Sequence, residues 1–167
     1  MHIPAPDTPA SPKQDAILTA ALTLFSERGF HGTAVPEVAA LARVGAGTIY
    51  RYFASKEALV NGVFQQAKSL LRDALLLDFD PQGDVRTAFH QFWLRLTRFA
   101  RDYPRQFRFL ELQDHVPYLD DTSRALELQI LLPVNLFCQY ARDQGTARDL
   151  AAGTLMAMIW GAVVGLF

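Results

Sequence analysis

Arg43, Val44 and Gly45 are all that separates two short helical patterns, and no feature of the chain restricts its fold more. Thr33 to Ala42 holds the first, with Val38, Ala39 and Leu41 as apolar positions and Pro36 admissible because it lies in the first turn. The second runs from about Ala46 to Phe53, with Gly45 as its N-cap and Ile49 and Phe53, four apart, as its inward stripe. A three-residue link lets the second helix turn sharply across the first and leaves Thr48, Arg51 and Tyr52 facing outward.

Helices flank this pair on both sides. Ser11-Pro12-Lys13-Gln14 is a capping-box arrangement that starts a helix at about residue 12, and Gly29 ends it near residue 28 in a left-handed turn. Ser55 caps a longer helix whose apolar residues recur from Leu59 through Val63, Phe64, Ala67 and Leu71 to Leu75, ending near "DFDPQG". Val85 to Asp102 continues the pattern until Tyr103-Pro104 breaks it before "RQFRFLELQ". Ser123 to about Arg142 forms another helix, kinked at Pro133, and an apolar helix from Leu150 to Phe167 closes the chain. No strand pattern of useful length and no repeat occurs, so the fold class is all-α.

Composition excludes several functions. One cysteine, Cys138, builds neither a disulfide framework nor a zinc site and suits a reducing cytoplasm. His2, His31, His90 and His115 are scattered, and Asp114-His115 before Asp120-Asp121 reads as a solvated turn, so no metal or other cofactor is expected. No nucleophile elbow, phosphate loop or HExxH motif points to an enzyme. The net charge of -1 is neutral on nucleic acid, since a basic face can be balanced elsewhere. Residues 1–10, rich in proline, read as a disordered arm with no signal-peptide pattern. The eighteen uncharged residues from Leu150 to Phe167 are at the short limit for crossing about 30 Å of hydrocarbon and lack basic flanks at the far end. They read as a buried or subunit-interface helix, with no membrane partner.

Two short helices joined by a tight turn match a helix-turn-helix that lays its second helix in a DNA major groove. Glycines at the start of that helix let its backbone approach bases, and Tyr50, Thr48 and Arg51 can reach phosphates or base edges. "ALTLFSERGF" at 21–30, "EVA" at 37–39, "GTIYRYF" at 47–53 and "SKEAL" at 55–59 together closely resemble the N-terminal DNA-binding domain of the TetR family of bacterial transcriptional regulators.

The resemblance implies a DNA-binding domain at 11–56 and a helical ligand-binding and dimerisation domain at 57–167, cut short at its C-terminus. It implies a cytoplasmic, ligand-responsive repressor that binds a palindromic double-stranded DNA operator as a homodimer and is released by a small-molecule effector. Carried over by position, Gly45, Ala46 and Gly47 approach bases, Thr48 and Tyr50 hold phosphates, Arg51 and Tyr52 contact bases or phosphates, and Lys56 anchors the backbone. Where the family has a hydroxyl residue capping the second helix, this chain has Ala34, with Thr33 the expected phosphate contact and Glu37 keeping half a capping box. Arg43 replaces the turn glycine and Ala46 the often basic first residue of the recognition helix. Ala34 and Ala46 also support the alternative, a helical small-molecule or protein-interaction module with a weakened DNA-binding face. Phe89, Phe92, Trp93, Phe99, Phe107 and Phe109 are candidate cavity residues, although such a stripe also suits plain core. Leu155, Ile159, Gly161 and Gly165 are candidates for the dimer interface.

Overall fold

The computed structural model describes residues 11–112 and 116–166; the expected N-terminal arm at 1–10 and the Asp114-His115 pair lie outside them. Among the described residues there are eight α-helices and no strand. They are α1 (Pro12–Arg28), α2 (Val35–Leu41), α3 (Ala46–Tyr52), α4 (Lys56–Leu76), α5 (Val85–Asp102), α6 (Pro104–Leu112), α7 (Asp121–Asp143) and α8 (Ala152–Val164), with a 3-10 turn at Val116–Tyr118.

The helix ends follow their local chemistry. Ser11 Oγ accepts from the Gln14 N–H at 3.2 Å, and Ser55 Oγ accepts from the Ala58 N–H at 3.1 Å. Gly29 ends α1 with φ 68° and its N–H on the Phe25 carbonyl. α7 starts two residues before the expected Ser123 because Asp120 is the cap, its carboxylate accepting from the Ser123 N–H at 2.8 Å. α7 then continues through Pro133, which forfeits one bond to the Gln129 carbonyl.

α1 is buried on several sides, at Ile17, Leu18, Ala20, Ala21, Leu22, Leu24 and Phe25, because α2, α4 and α6 surround it. α4 is the spine: it packs on α1, α5, α6 and α7, so it joins the first three helices to the rest. Gly62 makes that junction close, since a Cβ there would sit 2.8 Å from the Phe53 ring and 3.1 Å from Leu18. α8 covers 13 residues rather than the expected eighteen, and no described helix is long and apolar enough to cross a membrane.

Candidate nucleic-acid interface and the adjoining cavity

α3 is clamped from within and open from without. Ile49 and Phe53 are buried, fixing the helix against the core. Tyr50 is 54% and Tyr52 38% exposed, Arg51 is exposed, and Thr48 is half-buried. Gly45, Ala46 and Gly47 are exposed as well, and a Cβ added at Gly47 would meet nothing within 4 Å. Glycine costs about 1 kcal/mol against alanine inside a helix. Among the described residues no packing contact requires glycine at 47.

The turn before α3 has an unusual occupant. The Arg43 N–H bonds to the Ala40 carbonyl and the Val44 N–H to the Ala39 carbonyl, a pairing that ends α2 with residue 43 in a left-handed conformation. Arg43 has φ 56°, where glycine is the ordinary residue. Its guanidinium is thereby carried on an exposed turn directly before the open helix.

Neighbouring groups brace the pair. Glu37 Oε2 accepts from the Ala34 N–H at 3.0 Å, keeping half of a capping box, while Oε1 accepts from Arg28 Nη1 at 2.9 Å. The Ala34 N–H, then the Arg28 guanidinium, hold this carboxyl below its ordinary range. Ser11 Oγ hydrogen-bonds to Tyr52 Oη at 3.1 Å, tying the start of α1 to the end of α3. Lys56 Nζ lies 4.3 Å from the centre of the Phe30 ring. Thr33 corrects an expectation: it is buried and its hydroxyl donates to the Gly29 carbonyl at 2.9 Å, so it is committed to the loop and unavailable to a phosphate.

A cavity of about 290 Å³ lies where α4, α5, α6, α7 and α8 meet. Its wall is mostly apolar, with Leu71, Phe92, Ile130, Val134 and Ile159, and it carries three ionisable groups, Lys68, Glu111 and Glu127. Its size is at the lower end of small-molecule sites.

Comparison with known proteins agrees with this architecture throughout. Residues 17–63 match the bacterial regulatory proteins of the tetR family, and residues 64–167 match the tetracyclin repressor-like C-terminal domain. The HTH-type transcriptional regulator RutR of Escherichia coli K12 is 37% identical over 159 residues, covering 91% of this chain and 72% of that protein. The chain belongs to the TetR family. A TetR-family transcription regulator from Shewanella sp. PV-4 superposes with TM-score 0.78 at 26% identity, covering 93% of this chain and 83% of that one. The fold is also that of the Bacillus subtilis regulator FadR, solved with stearoyl-CoA, at TM-score 0.70 and 17% identity, covering 89% and 82%. As a TetR-family protein, the chain is a DNA-binding transcription regulator and not an enzyme.

The TetR-family C-terminal helices depart from the sequence expectation at the aromatic cavity candidates. Of the six aromatic candidates only Phe92 lines the cavity. Phe99, Phe107 and Phe109 belong to the core, with Phe109 6.4 Å from Phe25 ring to ring, because the inner faces of α5 and α6 close on α1 and α4. Trp93 packs partly buried on that core, and Phe89 lines a separate hollow beside Phe137 and Cys138. Burial pushes the Cys138 thiol up in pKa, which disfavours the thiolate. Among the interface candidates, Leu155 and Ile159 turn inward onto the core, while Gly161 and Gly165 are exposed. α7 also carries an outward apolar row, Leu128, Leu132 and Leu136, recurring every four residues at 50%, 59% and 55% exposure, with Met158 exposed on α8.

Three structural features beside the cavity and the junction had no sequence signal that spacing alone could have singled out. The first is the charged group Lys68, Glu111 and Glu127, contributed by three helices. The second is Asn61, a buried amide inside an apolar stripe. The third is Tyr118, whose ring stacks on Phe30 at 3.9 Å and whose hydroxyl meets His31 Nε2 at 2.8 Å.

Proposed function

We propose that this regulator is a repressor that binds a palindromic double-stranded DNA operator as a homodimer and leaves it when a small molecule enters the cavity. Residues 11–56 form the DNA-binding unit and residues 57–167 the regulatory and dimerisation unit. The observation that carries the DNA reading is α3 itself: a helix held by Ile49 and Phe53 whose Gly47 has no internal reason to be glycine. In this reading Gly45, Ala46 and Gly47 let the backbone approach the groove, Thr48, Tyr50 and Tyr52 donate to phosphates, and Arg43, Arg51 and Lys56 supply cations. The protein acts in the cytoplasm, where its operator is.

The exposed row Leu128, Leu132 and Leu136, with Gly161 on α8 and Gly165 just past its end, supports a helical dimer interface that presents two copies of α3 to successive grooves. Coupling runs through α4 and the 3-10 turn. Lys68 and Leu71 of α4 line the cavity, and the same helix starts at Lys56 beside α3. Asn61 of α4 bonds to the Tyr118 carbonyl, and the Tyr118 side chain engages Phe30 and His31. A ligand that favours one arrangement of α4 against α7 therefore shifts the separation of the two recognition helices. Genome-wide footprinting tests the proposal: an inverted repeat with half-sites about one helical turn apart is expected. Protected sites without two-fold symmetry contradict the dimeric reading.

A further inference from the structure

The cavity contains an unbalanced charge. Lys68, 8% exposed, points its ammonium at Glu127 Oε1 at 3.4 Å and lies 5.5 Å from the Phe64 ring centre. That pair is self-compensating. Glu111 is the third ionisable group on the wall, and the indole N–H of Trp160 donates to its Oε2. The cavity thus presents one ammonium against two carboxylates, and the remaining wall is aliphatic and aromatic. Glu111 is half-buried, and a carboxylate partly withdrawn from water and served by a neutral donor gains from a cation that joins it.

Resting on the reading of this cavity as the effector site, we propose that it takes a small organic cation, an apolar body of about one ring and a short chain whose ammonium or amidinium group pairs with Glu111. An anionic ligand would face Glu111 and Glu127 and would have to draw Lys68 from its partner. A neutral ligand would leave the charge of Glu111 as it was. Burial already pushes the Glu111 carboxyl up from its ordinary range, with Glu127 adding to the rise and the indole and Lys68 opposing it. Cation binding therefore tightens as rising pH ionises Glu111. The charged groups that face it are Lys68 and Glu127.

The test uses three probes of nearly equal shape, phenethylamine, 2-phenylethanol and 3-phenylpropionate, on the full chain without DNA. Binding is read by thermal shift and by Trp160 fluorescence in a Trp93→Phe background. Phenethylamine is expected to bind at least about tenfold more tightly than the other two. Glu111→Gln is expected to abolish that preference while the protein stays folded, and Lys68→Met, which frees Glu127, to keep or enlarge it. Preference for 3-phenylpropionate that Lys68→Met removes, equal binding of all three, or no binding of phenethylamine up to about 10 mM overturns the proposal. Operator binding is measured separately. If phenethylamine binds without loosening DNA, the effector reading fails and the cation site stands. If another compound loosens DNA through this cavity and Glu111→Gln does not affect it, the cation proposal fails and the effector reading stands.

Discussion

Asn61→Asp tests the junction between the DNA-binding helices and the rest of the protein with a change of almost no volume. The Asn61 amide uses all four of its hydrogen-bonding positions. Nδ2 donates to the Glu57 carbonyl at 2.8 Å and the Tyr118 carbonyl at 2.7 Å, while Oδ1 accepts from the Asp120 N–H at 2.9 Å and Ser123 Oγ at 2.7 Å. The Asp120 N–H can only donate and the two carbonyls can only accept, so the amide has one orientation. An ionised carboxyl here would put negative oxygen against two carbonyls. A protonated one regains a single donor, but at about pH 7 must hold its proton about 3 units above its ordinary pKa, which costs about 4 kcal/mol. The second carbonyl, left without a donor, adds about 1 kcal/mol. The variant should therefore lose about 5 kcal/mol at neutral pH. Because the folded-state pKa of the new carboxyl is raised, the deficit should shrink on acidification, by about 2.7 kcal/mol between pH 7 and 5. Urea unfolding of both proteins at matched concentration and at both pH values gives the difference. A loss under about 1 kcal/mol, or one independent of pH, would refute the assignment of this network.

Other perturbations separate internal from external roles. Arg43→Gly relieves a left-handed residue that costs about 1–2 kcal/mol and adds about 0.5–1 kcal/mol of chain entropy, so it should raise stability by up to about 1 kcal/mol while weakening DNA binding. Thermal unfolding and a binding titration check the two halves. Gly47→Ala meets open space and should leave the free protein as stable or up to about 1 kcal/mol more so. Its operator affinity should nonetheless fall; unchanged affinity would remove the reason for a glycine there. Leu132→Lys places a charge in the middle of the α7 row and should convert a dimer to a folded monomer in light scattering, with near-normal helical content by circular dichroism.

Much of this fold was legible because its signals are local. Ser11 and Ser55 cap helices where they stand, Gly29 and Pro104 punctuate them, and the short link at 43–45 requires the sharp turn into α3. What stayed hidden depends on which faces meet. Periodicity shows that Phe99 and Phe109 are inward but not whether inward means core or cavity. The five-helix junction leaves its space beside Ile130 and Ile159 instead. Leu155 and Ile159 carry the same ambiguity: an apolar helix offers two candidate faces, and α7 takes the one bearing them. Thr33 looked available as a hydroxyl near the start of α2, yet the turn after Gly29 brings the Gly29 carbonyl to it. Asn61 is the clearest case, because its partners Tyr118, Asp120 and Ser123 lie 57 to 62 residues away in sequence.

The most direct test of the DNA-binding role is fluorescence anisotropy with a footprinted operator fragment, titrated at several salt concentrations for the wild type and Arg51→Ala. Specific, dimeric binding is expected, with affinity falling steeply as salt rises and with a fall of about 1–3 kcal/mol in Arg51→Ala. Binding that ignores both salt and Arg51 would contradict the placement of α3 in the groove.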